Sequence, residues 1–377
     1  MTPAILFIIT VNLALGLAAG AVMYRSDFCV AGMFRDLFLF KKTIMLRALL
    51  LLIVTSMVLF EVLRRSGLLP LYPFPLLGSP SLANIAGGLI FGIGMVLAGG
   101  CVVGTLYKMG GGSTLSATAF IGLIVGSGIY AEIHPWWKSI ITRLSFLPGH
   151  ITLPQAIGCD PLLILSPVIM FSAFLFYRWY TGNKWELASP AEGHLQPWKA
   201  ALYLAGLGTF SYLLIGMPFG ITTAYAKAAA YITNIIAPDH VSRLAFYNDV
   251  SLNYTAPISD TELHGGAGPF WDAIAYIQFP LIVGIVLGAM IAALRIGEFK
   301  IYFRVPARQY LSAILGGILL AMGSRMTPGC NIWHLFGGLP ILNMQSLLFL
   351  IGIFPGAYIG SRLLVTLVLS TRLEVAI

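Results

Sequence analysis

Charge is scarce in this chain. Of its 377 residues only 10% are Asp, Glu, Lys or Arg, against 58% apolar side chains, and the mean hydropathy is +0.88. A soluble domain of this length would expose far more charge, so the composition excludes a soluble enzyme and marks an integral membrane protein. The net charge of +8 comes without any basic run, which excludes nucleic acid as a partner. Much of that excess is the cytoplasmic bias of Lys and Arg common to bilayer proteins. No GxxxxGK[ST] stretch is present, so no ATP site is written. None of the four cysteines (Cys29, Cys101, Cys159, Cys330) forms a CxxC pair. That leaves no local zinc site, no thioredoxin-type redox pair and no disulfide framework, and neither metal nor cofactor is expected. The first apolar stretch, Pro3 to Ala21, lacks a basic n-region and a small-residue cleavage site, and reads as a span rather than a signal.

What the chain does have is a duplicated pattern. GLIFGIGMVLAGGC runs from Gly88 to Cys101, and GILLAMGSRMTPGC from Gly317 to Cys330. Gly88, Gly94, Gly100 and Cys101 thus match Gly317, Gly323, Gly329 and Cys330 at a constant offset of 229. A second pair aligns RSDFCVAGMFRD around Cys29 with GMPFGITTAYAK around Gly220. Three of four equivalent places hold a thiol and the fourth holds glycine. In an apolar chain, duplication around broken helices points to a solute path through the middle.

A spanning helix needs about 20 apolar residues. Nine windows qualify: 3–24, 44–63, 82–100, 115–133, 161–180, 199–217, 271–294, 310–328 and 345–368. Phe28–Phe40 and Gly220–Ile236 are too short to span and read as re-entrant half-helices. VVGTLYKMGGGS after Cys101 and NIWHLFGGLP after Cys330 read as glycine-rich turns. The expected fold is an all-α integral membrane protein forming a single domain over 1–377. Residues 1–133 make a first repeat, 134–198 a connector with the fifth helix, and 199–377 a second repeat. Corresponding helices lie five spans apart, so the halves are expected to be inverted. Counting by side places 15 of the 22 Lys and Arg residues on one face and seven on the other. The richer face is then cytoplasmic, with the N-terminus outside and the C-terminus inside. Two long outer loops, about 134–160 and 237–270, carry Trp136, Trp137 and Trp271, which read as interfacial anchors.

Glycines crowd the cysteines: Gly100 and Gly104 around Cys101, Gly329 before Cys330. They permit the close approach and positive φ of a helix that breaks at membrane depth, though ordinary helix packing by small residues explains any one of them equally well. Where such a helix restarts, its free N–H groups and dipole favour an anion. A thiol is a weak donor with a soft sulfur, suited to a ligand that itself exposes sulfur or selenium. Several in succession would give weak sites that a ligand both enters and leaves. Arg25, Arg35 and Arg325 are the nearest cations, and a snorkelling role is favoured for each. Arg35–Asp36 reads as structural, Lys108 as following the topology bias, and His334 as a buried, hydrogen-bonded histidine. Asn331 is open between donating to an oxyanion and capping the restarting helix.

RSDFCVAGMFRDL at 25–37, GGLIFGIGMVLAGGCVVGTLYKMGGGSTLS at 87–116, PFGITTAYA at 218–226 and GGILLAMGSRMTPGCNIWHLFGGLP at 316–340 together resemble the YeeE/YedE, or sulphur transport, family. The resemblance implies an inner-membrane protein with pseudo-two-fold halves and loops folded to the centre in an hourglass. It implies import of thiosulfate or a related sulfur anion, passed along Cys29, Cys101 and Cys330 by S–H···S contacts. Cys159 matches no motif of the family. The Cys101 and Cys330 motifs and the long loops are similar to the branch tied to selenium metabolism, so a selenium compound or sulfite is the alternative substrate. No sulfur-carrier domain is fused, so a cytoplasmic acceptor would be a separate protein. The substrate-binding set expected is Cys29, Cys101, Cys330, Gly100, Gly104, Gly329, Asn331 and Gly220, in a transporter and not an enzyme. The rival, an intramembrane sulfurtransferase or oxidoreductase, would need a resolving cysteine or a base that the sequence does not supply locally.

Overall fold

Pro3 opens the first helix at a position where its missing N–H costs nothing, and Asp27 closes it in the left-handed conformation. The computed structural model describes residues 2–69, 71–74, 76–187 and 192–369. Their helices are α1 (Pro3–Ser26), α2 (Val30–Phe40), α3 (Ile44–Arg65), α4 (Ala83–Leu97), α5 (Val102–Gly110) and α6 (Thr114–Arg143). Then come the short α7 (Leu153–Ile157), α8 (Pro161–Thr181), α9 (Pro197–Ile215), α10 (Thr222–Ile236), α11 (Pro238–Arg243) and α12 (Ala245–Asn248). A hairpin of β1 (Leu252–Thr255) and β2 (Glu262–Gly265) pairs Leu252 with Gly265 and Thr255 with Glu262. The chain continues through α13 (Ala273–Arg295), α14 (Ala307–Met326) and α15 (Met344–Leu363).

The protein is an all-α membrane protein. Eight helical stretches among the described residues are long and apolar enough to cross a bilayer, and they match eight of the nine expected windows. The ninth, α14, runs the expected twenty residues but is too polar to qualify on composition. It packs chiefly on α4 and α6, while Leu311 and Leu315 stay exposed. The C-terminal residues 370–377, expected on the cytoplasmic side, lie outside the described residues.

Small residues set the helix crossings. Side chains at Gly16 or Gly20 of α1 would run into the backbone of Leu281 or Ile285 on α13, and Gly284 and Gly288 face back against Leu13 and Leu17. Without a hydrophobic drive between helices in lipid, such close backbone contact is the main source of adhesion. The crossings come in matched sets: α1 on α13 and α9 on α3, α4 on α15 and α14 on α6, with α4 against α14 at the centre. The offset-229 glycines take matching places in them. Gly88 meets Phe349 and Gly352 of α15, as Gly317 meets Ala119 and Gly122 of α6, while Gly94 and Gly323 line the two faces of the α4–α14 contact.

Two readings of the sequence need correction. The segment after Cys101 is not a turn but the nine-residue α5; Gly104 lies inside it, and Gly110, Gly111 and Gly112 fall at its end, where they terminate it. The segment after Cys330 is likewise helical, a π-type turn over Trp333–Gly338 followed by a 3-10 turn over Leu339–Ile341. Short helices are present at both places read as half-helices, α2 and α10.

The two long loops are strapped down. Leu153 N–H donates to the Leu342 carbonyl and Met344 N–H to the Ile151 carbonyl, both at 3.0 Å. Lys227 of α10, fully buried, donates to the carbonyls of Gly268 and Phe270 and to Asp272 Oδ2 at 2.7–2.8 Å. The Asp272 carboxylate also accepts from Ala275 N–H at 3.2 Å, capping α13. Helix α8 stands apart, packed mainly on α3, and its first turn is pinned by Asp160, which accepts from Arg65 at 2.9 Å. Trp136 and Trp271 are exposed, as interfacial anchors should be. Trp137 is not one of them: it is buried, and its indole N–H donates to the Met326 carbonyl at 3.0 Å.

Candidate functional site

Each of the three motif cysteines stands where a helix begins. Cys29 occupies the N-cap of α2 and Cys101 that of α5, both in extended conformation. Cys330 precedes the turns at 331–341, and its carbonyl accepts from His334 N–H at 2.9 Å. The backbone leaves the first N–H groups of each helix without intrahelical partners. Cys101 Sγ accepts one of them, from Gly104, at 3.2 Å. The cap at Cys29 makes no such side-chain bond. All three thiols are buried, none more than 3% exposed, and all three belong to one apolar cluster.

Gly104 joins two of them. A Cβ at this position would lie 2.7 Å from Cys29 Sγ and 3.2 Å from Cys101 Sγ. The two thiols therefore converge on one glycine that offers only hydrogen to both. Gly100 lies on the same turn, against the backbone of Gly104 and Thr105. Tyr107 and Lys108 of α5 meet Asp27 at the end of α1. Tyr107 OH donates to Asp27 Oδ1 at 2.7 Å, and Lys108 Nζ lies 4.0 Å from the same oxygen while donating to the Gly99 carbonyl at 3.0 Å.

Cys330 is brought toward the pair by its neighbours. The Asn331 side chain reaches toward Cys101, yet neither atom of its buried amide has a hydrogen-bond partner in the protein. It does not cap the restarting helix. The Tyr225 hydroxyl of α10 and the indole N–H of Trp333 are likewise buried without a partner. Orphaned polar groups in a protein interior are rare and costly. Asn331, Tyr225 and Trp333 thus present polar groups that the protein itself does not use. Phe28 and Phe336 meet edge-on at 6.2 Å and tie the Cys29 and Cys330 segments together.

At the long-loop end a cavity of about 470 Å³ opens, with Gly329, Trp333 and Gly220 in its lining. Gly220 is the fourth equivalent place, and a Cβ there would press on the Trp333 ring at 3.3 Å. The expected set thus comes together in part: Cys29, Cys101, Gly104 and Asn331 at the centre, Gly329 and Gly220 at the cavity, Cys330 between. Cys159 is separate, half-buried in a loop. Sequence reading missed Tyr225 and Trp333, for which glycine and cysteine spacing gave no signal.

The other candidates resolve plainly. His334 is fully buried, with Nε2 bonded to the Thr327 carbonyl at 2.7 Å and Nδ1 to Ser346 Oγ at 2.9 Å. Arg35 pairs with Asp36 at 2.9 Å, and Arg25 donates to the Gly193 carbonyl at 2.7 Å. No group of three or more metal-ligating side chains occurs among the described residues.

The sequence model of a family described as sulphur transport matches residues 25–359. A thiosulfate transporter, TsuA, of Spirochaeta thermophila is 30% identical over 376 aligned positions, covering 93% of this chain and 98% of that protein. TsuA of Escherichia coli is 26% identical, covering 93% of each. A probable transporter of Escherichia coli, YedE, is 26% identical over 46% of this chain and 42% of its own length.

Proposed function

The chain belongs to the sulphur transport family, and on that premise we propose that it imports a small sulfur-containing anion, thiosulfate first among them, by way of three buried thiols. The observation that carries this reading is the convergence of Cys29 and Cys101 on Gly104, with Asn331 bridging toward Cys330. The anion enters from the cavity beside Gly329, meets Cys330, then Cys101 and Cys29, and leaves past Lys108 and Asp27. Each thiol donates weakly to a terminal sulfur, so no stop is deep enough to trap the ion. The anion's charge is met by helix N-termini and by the Asn331, Tyr225 and Trp333 donors.

The matched helix crossings support reading 1–133 and 199–377 as oppositely facing copies joined by 134–198. The charge bias supports an inner-membrane placement with the N-terminus outside and the basic end in the cytoplasm. A separate sulfur-carrier protein at that end is the corollary. The relatives' names favour a transporter over an enzyme.

The test is uptake of labelled thiosulfate by reconstituted protein, competed by sulfite, sulfate and selenium analogues. Replacing Cys29, Cys101 or Cys330 singly by Ala should cut uptake at least about tenfold, the loss of one weak charge-assisted contact. Wild-type rates in all three variants, at equal protein in the vesicles, would refute the relay. Stronger competition by selenite than by sulfite would move the substrate to the selenium alternative.

A further inference from the structure

Arg325 ends α14 with its guanidinium in the lining of the cavity, and it is 91% buried (9% exposed). Nη1 donates to Thr223 Oγ1 at 3.2 Å and Nη2 to Thr222 Oγ1. Its Nε has no partner, and among the described residues no ion pair includes it. Burying a cation without a counter-charge is among the costliest arrangements a protein adopts. Snorkelling, the reading favoured from sequence, does not describe it. Two threonine hydroxyls at the start of α10 hold the planar fork in place, and Nε is left free.

The surrounding charges point the same way. His134 and Lys138 of α6 line the same cavity, and the one carboxylate in the lining is Asp249. Pro328 and Gly329 carry the wall directly to Cys330. A guanidinium suits oxygen pairs of a tetrahedral anion, where a thiol suits sulfur.

We propose that Arg325, clasped by Thr222 and Thr223, forms an oxyanion-docking site at the cavity floor, where doubly charged tetrahedral anions bind through charge and oxygen atoms before any thiol is reached. This rests on the uptake reading for its purpose and divides selection into two steps. Arg325 accepts thiosulfate and sulfate alike, and the thiols beyond it pass only the ion with a terminal sulfur.

The experiment is calorimetric binding of thiosulfate and, separately, of sulfate to the purified full chain in detergent. Arg325→Gln should weaken both ions about ten- to hundredfold, as loss of a charged hydrogen-bonding partner does. Arg325→Lys should recover part of that loss, because the charge returns without the fork. Cys159→Ala, at a thiol that stands apart from the cavity, should leave both affinities unchanged. Wild-type affinity for both ions in monodisperse Arg325→Gln overturns the docking site. Should that variant not fold, the wild-type protein decides: sulfate must raise the KM for thiosulfate uptake and leave the maximal rate alone, and absence of competition overturns the proposal. If Cys330→Ala still transports while Arg325→Gln has lost binding, the relay falls and the docking site stands.

Discussion

Replacing Gly104 by Ala tests how closely two thiols approach. The added methyl would sit 2.7 Å from Cys29 Sγ and 3.2 Å from Cys101 Sγ, whereas heavy atoms rest at about 3.5–4.0 Å. The first contact is short by roughly 1 Å, and Gly104 lies inside α5 with buried neighbours on either side, so neither backbone nor sulfur has free space to yield. Overpacking of this kind costs about 1–3 kcal/mol. Against it stands the better helix propensity of Ala over Gly, about 1 kcal/mol. The clash wins in most of that range, so Gly104→Ala should unfold at lower temperature than wild type and lose uptake. Adding Cys29→Ala removes the sulfur that the methyl strikes. The double variant should then lose less stability than the two single changes summed, because the 2.7 Å contact is gone and only the 3.2 Å contact with Cys101 Sγ remains, and it should still not transport. Detergent thermal unfolding and vesicle uptake on the four proteins complete the cycle. Additive stabilities, with no gain from pairing the two changes, would show that Gly104 does not separate the thiols.

Lys227→Met strips three carbonyl and carboxylate acceptors of a buried ammonium. Loss of one partner of a buried pair costs about 3–5 kcal/mol, so cleavage of the 250–272 segment by added protease should accelerate; an unchanged digest would refute the staple. Gly20→Leu forces α1 away from Ile285 of α13 and should leave little monodisperse protein on gel filtration, since the side chain meets backbone rather than a movable group. Trp137→Phe deletes the hydrogen bond to the Met326 carbonyl and should cost about 0.5–1.5 kcal/mol, read as a lower unfolding midpoint with uptake retained.

Periodicity and composition reached most of the fold because a bilayer leaves few alternatives: an apolar run of sufficient length can only be a helix. The windows at 44–63, 161–180 and 345–368 differ from the helices by a few residues at most. The half-helices were legible too, since 28–40 and 220–236 are apolar but too short to span. Local reading failed at 102–110, where the glycines of the helix end were taken as the signature of the whole segment. It failed at Arg325 and Trp137 for another reason. Whether a long side chain near a helix end turns to the interface or inward depends on what packs beside it, here Thr222 and Thr223 on α10 and the Met326 carbonyl, and neither neighbour is near in sequence. The cysteines were legible as a set through the offset between copies. That two of them meet at Gly104 while the third is reached through Asn331 was not, because it depends on the angle at which α2 and α5 converge.

Of the four positions related by duplication, the one that borders the open cavity is Gly220, and the three bearing sulfur are sealed from water. Cross-linking and oxygenation of a thiol need contact with a peroxide, a second thiol or a disulfide in solution. An oxidising compartment on the cavity side would meet glycine backbone and an indole ring first. Burial of the three sulfurs would then guard them by shape instead of by a reducing partner.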